Sequence, residues 1–197
     1  SNGADLISLA PYWADALPGA AFVSPNAVEN VPQVPGGYQW FPISNLDPQL
    51  MEQGARAAAQ SVDRFIDREL EKHGLDESRM ALVGFSQGTM MSLYVGLRRT
   101  KPIAGILGFS GVLVGRGLKD EMKSKPPVLL IHGDRDPTIP IAAMFDSAET
   151  LAAAGHGAQW HVSYGIPHSI GQDGLDLGGA FLANCLKTKT IVSPARG

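Results

Sequence analysis

The chain has 197 residues, a formal net charge of -3, 44% hydrophobic residues and 18% charged residues. That length fits one domain, spanning 1–197, which can bury roughly two thirds of its unfolded surface. A charged fraction below the roughly 25% usual for soluble domains points to a large sheet-centred core. The mild negative charge leaves no footprint for nucleic acid or an anionic membrane, and no apolar run approaches the roughly 18 residues that span a bilayer, so neither nucleic-acid binding nor stable membrane insertion is expected.

From the N-terminus, Leu6, Leu9, Trp13 and Leu17 predict a short helix stopped at Pro18-Gly19. Residues 20–24 read as a brief buried strand closed by Pro25-Asn26. Residues 25–47, rich in Pro, Gly and Asn, predict a long loop carrying Tyr38, Trp40 and Phe41, of the kind that covers a site. Asp47-Pro48 opens a helix with a cap and a first-turn proline, and Val62, Phe65, Ile66 and Leu70 carry its apolar stripe towards His73-Gly74. Residues 80–85 predict a strand and 89–98 a helix; 103–109 and 127–132 are further buried strands, 140–154 a helix and 159–164 the last strand. A helix then runs from beyond Pro167-His168 to about Leu186, and the tail from Lys187 reads as loose. Apolar strands alternating with helices imply an α/β class with a mostly parallel sheet covered on both faces. The single cysteine, Cys185, lies in an apolar run and reads as a small core residue. No signal peptide is visible, which favours a cytoplasmic location.

Where the strand at 80–85 meets the next helix, the chain reads Gly84-Phe85-Ser86-Gln87-Gly88. With 23 glycines such a pattern arises by chance, but a strand before it and a helix after it make it a nucleophile elbow. Gly84 and Gly88 are expected because a Cβ at either place would crowd the turn. Ser86 is a weak nucleophile and needs an imidazole to take its proton. In parallel α/β sheets such groups sit beyond the carboxyl ends of the strands. Asp134 and Asp136 follow the strand ending at His132, and His168 follows the last strand.

The order Ser, Asp, His is that of an α/β-hydrolase. Asp136 is favoured over Asp134 because it opens a loop stiffened by Pro137 and Pro140, whereas Asp134 can simply cap the turn. Among the other histidines, His73 and His156 are expected on the surface, His161 lies inside a strand, and His132 reads as a hydrogen-bonding support. The Gln87 N–H, at a helix N-terminus, is a candidate oxyanion donor. No His/Asp/Glu cluster has ligand spacing, so no metal or cofactor is expected.

Gly-Phe-Ser-Gln-Gly-Thr-Met at 84–90, His-Gly-Asp-Arg-Asp-Pro-Thr-Ile-Pro at 132–140 and Pro-His-Ser-Ile at 167–170 resemble the phospholipase/carboxylesterase family of α/β-hydrolases. Ser-Asn-Gly-Ala-Asp-Leu at 1–6 and Trp-Phe-Pro-Ile at 40–43 extend the likeness from the first residue to about Leu186. The resemblance implies a serine hydrolase of carboxylic esters with short to medium acyl chains, with thioesters or lysophospholipids as alternative substrates. Ser86 would be the nucleophile, Asp136 the acid, His168 the base and the Gln87 N–H one oxyanion donor. Trp13, Trp40, Phe41, Val112, Leu113 and Ile139 are candidates for the acyl pocket, and exposed Trp and Met near the site are compatible with a homodimer. In that family a strand and a His-Gly-x-Gly turn come before the residues resembling 1–5, and the turn gives the second oxyanion donor. The resemblance therefore implies that an upstream segment or another chain supplies a strand between 20–24 and 80–85. The reading from another class is a non-catalytic binding protein that keeps the fold.

Overall fold

The computed structural model describes residues 2–43, 47–115 and 117–186. The chain opens with two short helices, α1 (Gly3–Ile7) and α2 (Ala10–Trp13), where the sequence predicts one. Asn2 and Asp5 close a capping box at the start of α1. The break between the helices follows from Pro11, which has no N–H to continue the ladder back to Ile7. Inside the predicted long loop, β1 (Glu29–Asn30) and β2 (Tyr38–Gln39) pair antiparallel as a small hairpin. The long helix α3 (Pro48–His73) begins where the Asp47 carboxylate accepts from the Gln49 and Leu50 N–H groups, and it ends at Gly74 with φ 63°. Its buried stripe is Met51, Ala55, Ala58, Val62 and Ile66, at helical spacing.

Four parallel strands form the main sheet in chain order: β3 (Ala81–Phe85), β4 (Gly105–Phe109), β5 (Val128–Gly133) and β6 (Gln159–Ser163). The helices between and after them are α4 (Gln87–Gly96), the one-turn α5 (Leu118–Glu121), α6 (Ala142–Ala153) and α7 (Gln172–Leu186). Alternation along the strands sorts the core into two layers. Ile106, Val128 and Leu130 pack against Leu93 and Leu97 of α4 and Met144 and Leu151 of α6. Leu107, Phe109, Leu129 and Ile131 face the other way, onto Trp13 and onto Leu175, Phe181 and Leu182 of α7. Each fully buried aliphatic side chain contributes about 1.5–3 kcal/mol, so the α/β-hydrolase arrangement is held from both faces of the sheet.

Residues 20–24, predicted as a strand, carry no ladder in the structure. Strand character depends on neighbours to pair with, and among the described residues no strand pairs with β3 on that side. Between them runs an apolar trench. Two adjoining cavities, of about 600 and 560 Å³, share Ala21, Phe22 and Val23 on one wall, Ala81, Leu82 and Val83 on the other, and Phe65 and Ile66 of α3. The trench lies where the resemblance places a strand. Among the described residues no helix is long and apolar enough to cross a membrane. The tail expected to be loose, from Lys187, lies outside the described residues.

Candidate active site

Ser86 sits between β3 and α4 with φ 54° and ψ -116°, a conformation that costs a side-chain-bearing residue about 1–3 kcal/mol. The surroundings enforce it. The Ser86 N–H donates to the Phe109 carbonyl at 2.8 Å, and the Thr89 hydroxyl lies 2.9 Å from the Gly84 carbonyl and 2.8 Å from that of Phe109, tying the turn to β4. A Cβ at Gly84 would collide with the backbone of Gly88 and Thr89. A Cβ at Gly88, by contrast, would meet nothing within 4 Å, so the crowding expected at both glycines exists only at Gly84.

Asp136 follows β5, its side chain fully buried. Oδ1 accepts from the Thr138 N–H at 2.8 Å and the Ile139 N–H at 2.9 Å, and Oδ2 lies 2.6 Å from His168 Nδ1. Burial by itself pushes this carboxyl upward, but the hydrogen bonds from His168, Ile139 and Thr138 outweigh it and hold the group below the usual carboxylate range. An ionised carboxylate only accepts, so His168 donates from Nδ1 and keeps Nε2 as an acceptor. The His168 ring also packs on Phe85, with centroids 4.9 Å apart.

His132, 1% exposed, brings Nε2 within 2.9 Å of the Ile139 carbonyl and 3.2 Å of Asp136 Oδ2. A carbonyl cannot donate, so this nitrogen carries a proton and braces the loop that holds Asp136. Asp134 accepts from the Gly165 N–H at 2.5 Å and closes the turn, leaving Asp136 as the carboxylate on His168.

Ser86, Gln87 and His168 line one cavity of about 600 Å³ together with Leu6, Phe22, Tyr38, Trp40, Phe65 and Phe85. Of the six residues expected around an acyl chain, Trp40 and Trp13 line it, although the Trp13 ring is also fixed in the core by its Nε1–H donating to the Leu175 carbonyl at 2.9 Å. The other four do not. Phe41, 2% exposed, fills the core between α3 and α4, where Gly54 leaves it room. Val112 packs on that same cluster, and Leu113 joins the α4–α6 layer while its N–H donates to the Ser147 hydroxyl at 2.9 Å. Ile139 is buried beside Phe41, and its backbone serves Asp136 and His132.

His73 lies beside Glu69 at a helix end, as expected, and His161 is 2.7 Å from Asp173. His156 corrects the expectation of a surface residue: it is 8% exposed, and burial pushes its imidazole downward. Cys185 is half-buried, and burial raises its thiol. One feature of the site has no signal in the motif itself: the Gln87 side chain reaches back to residues 40 and 41, accepting from the Trp40 N–H at 2.7 Å and donating to the Phe41 carbonyl at 2.8 Å.

A hydroxyl on a strained turn and an imidazole whose Nδ1 is engaged by a buried carboxylate, leaving Nε2 as its acceptor, all at the carboxyl ends of parallel strands, form a set suited to acyl transfer. A family model described as phospholipase/carboxylesterase matches residues 1–186. Acyl-protein thioesterase 1 of Gibberella zeae is 32% identical over 163 residues, covering 76% of this chain and 69% of that protein. The crystal structure of esterase PE8 matches with a TM-score of 0.90 at 42% identity, covering 94% of this chain and 88% of that one. The phospholipase/carboxylesterase of Dyadobacter fermentans matches with a TM-score of 0.74 at 26% identity, covering 95% and 85% of the two chains.

Proposed function

The chain belongs to the phospholipase/carboxylesterase family of α/β-hydrolases, and from that premise we propose that it is a serine esterase cleaving carboxylic esters with short to medium acyl chains. The observation that carries the proposal is the 2.6 Å pairing of His168 Nδ1 with the buried Asp136 carboxylate, in a cavity shared with Ser86. His168 Nε2 takes the Ser86 proton as Oγ attacks the ester carbonyl, a contribution of roughly 100 to 10,000-fold. The negative charge on the carbonyl oxygen falls at the head of α4, where the Gln87 N–H is one donor; such a donor is worth roughly 100 to 1,000-fold. The imidazolium, held by Asp136, then returns its proton to the leaving alcohol. Water repeats the sequence on the acyl-enzyme.

A thioester substrate is the second reading, favoured by the 32% identity to a protein named acyl-protein thioesterase 1. The test is labelling with a fluorophosphonate probe, followed by hydrolysis of p-nitrophenyl esters of increasing chain length set against a palmitoyl thioester. Labelling that vanishes in Ser86→Ala supports the enzyme, and the rate series assigns the substrate. A folded sample that takes up no probe and cleaves none of these substrates refutes it in favour of a non-catalytic binding protein.

A further inference from the structure

We propose that the Gln87 side chain is a positioning residue that sets acyl-chain preference by holding Trp40 against the cavity; the catalytic half of this statement rests on the esterase reading above. Gln87 is the first residue of α4, directly after the nucleophile. Its amide makes two hydrogen bonds to consecutive residues of a segment 46 and 47 positions earlier, one accepted from the Trp40 N–H and one donated to the Phe41 carbonyl. Both are short, at 2.7 and 2.8 Å, and they fix the backbone at that point as a paired strand would.

The two residues so fixed point to different places. Phe41 enters the core beside Met51, Ala55, Met90 and Met91, while Trp40 remains half-buried and lines the cavity with Ser86 and His168. Phe41 anchors the segment in depth, and Gln87 sets its position relative to the nucleophile turn. The wall formed by Trp40 is therefore referenced to Ser86 through the Gln87 side chain.

Gln87→Met keeps the length of the side chain and removes both hydrogen bonds; Gln87→Glu keeps the acceptor for Trp40 and turns a carboxylate oxygen against the Phe41 carbonyl. The readout is the ratio of kcat/KM for p-nitrophenyl decanoate to that for p-nitrophenyl acetate. Both variants change this ratio by about five- to tenfold, mainly through KM for the long ester. Trp40→Ala shifts it in the same direction, and the double variant Gln87→Met/Trp40→Ala goes no further than Trp40→Ala alone, because the first residue acts through the second. A ratio equal to that of the parent, or additive effects in the double variant, overturns the proposal.

The positioning half has its own readout, independent of activity. With 5-fluorotryptophan incorporated, the chain's 3 tryptophans give separate ¹⁹F signals, and the one lost in Trp40→Phe is that of Trp40. In folded Gln87→Met this signal moves towards the solvent-exposed position while the other signals stay. An unmoved signal refutes positioning even if the protein proves to cleave no ester, whereas a moved signal with an inactive parent refutes only the esterase reading.

Discussion

Asp136→Asn gives the sharpest test of the site, because the structure dictates how the amide must sit. Oδ1 receives two backbone N–H groups, at 2.8 and 2.9 Å, and Oδ2 faces His168 Nδ1 at 2.6 Å and His132 Nε2 at 3.2 Å. The asparagine oxygen has to take the Oδ1 place, since an NH₂ there would face two donors. The NH₂ then confronts His168 and His132. His168 can accommodate it only by accepting at Nδ1, which moves its proton to Nε2 and leaves nothing to take the proton of Ser86. By the same logic as in other serine triads, kcat on p-nitrophenyl acetate falls about 10,000-fold, with KM nearly unchanged. His132 has no such escape, because the Ile139 carbonyl already requires its Nε2–H, so folding stability in urea drops by about 1–3 kcal/mol. The folded-state carboxyl of the parent is depressed, so its contribution to stability is complete above about pH 4 and is lost as pH falls through the folded value. The stability gap between parent and variant therefore narrows in acid. A kcat within tenfold of the parent would show that the 2.6 Å pair does not orient the base.

Ser86→Gly abolishes fluorophosphonate labelling yet raises the unfolding free energy obtained from urea melts by about 1 kcal/mol, because glycine adopts φ 54° without strain; Ser86→Ala loses labelling with no such gain. Gly84→Ala costs about 1–3 kcal/mol or more in the same assay, since its Cβ meets rigid backbone of Gly88 and Thr89, whereas Gly88→Ala changes stability by less than about 0.5 kcal/mol. Thr89→Val keeps the shape and removes the hydroxyl beside the Gly84 and Phe109 carbonyls, lowering stability by about 1–2 kcal/mol and slowing probe labelling at Ser86.

Ser86, Asp136 and His168 are legible in the sequence because each is tied to a local pattern, a turn of fixed spacing or the loop after a buried strand, and the parallel fold carries all such loops to one end. β3, β4 and β5 are legible for a related reason, as nearly unbroken apolar runs, whereas the edge strand β6 is half-exposed and mixes Gln159, His161 and Ser163 with its apolar residues. What escapes is whatever depends on distant partners. Residues 20–24 have the composition of a strand, but a strand is a relation between neighbours and no described residue pairs with them. Phe41 and Trp40 look interchangeable in a loop, and only the space left by Gly54 decides which one the core takes. The Gln87 side chain, expected to matter for its backbone alone, finds its partners 46 and 47 positions away. His156 follows a glycine turn that reads as surface, and its burial is set by how the chain folds back on Pro126.

The trench beside β3 has a consequence that isotope exchange would display. Within a parallel strand, successive residues turn their N–H and C=O groups to alternate sides. The Met80 carbonyl accepts from Ala104 and the Ser86 N–H donates to Phe109, so the even positions serve β4. Ala81, Val83 and Phe85 then aim three donors and three acceptors into the trench. In deuterated solvent the strand should record an alternating pattern, slow at Leu82 and Gly84 and fast at Ala81, Val83 and Phe85, with uniform protection as the contrary result. Among the described residues, the strand that ends in the nucleophile turn is thus fastened along one side only, like half of a closed zipper.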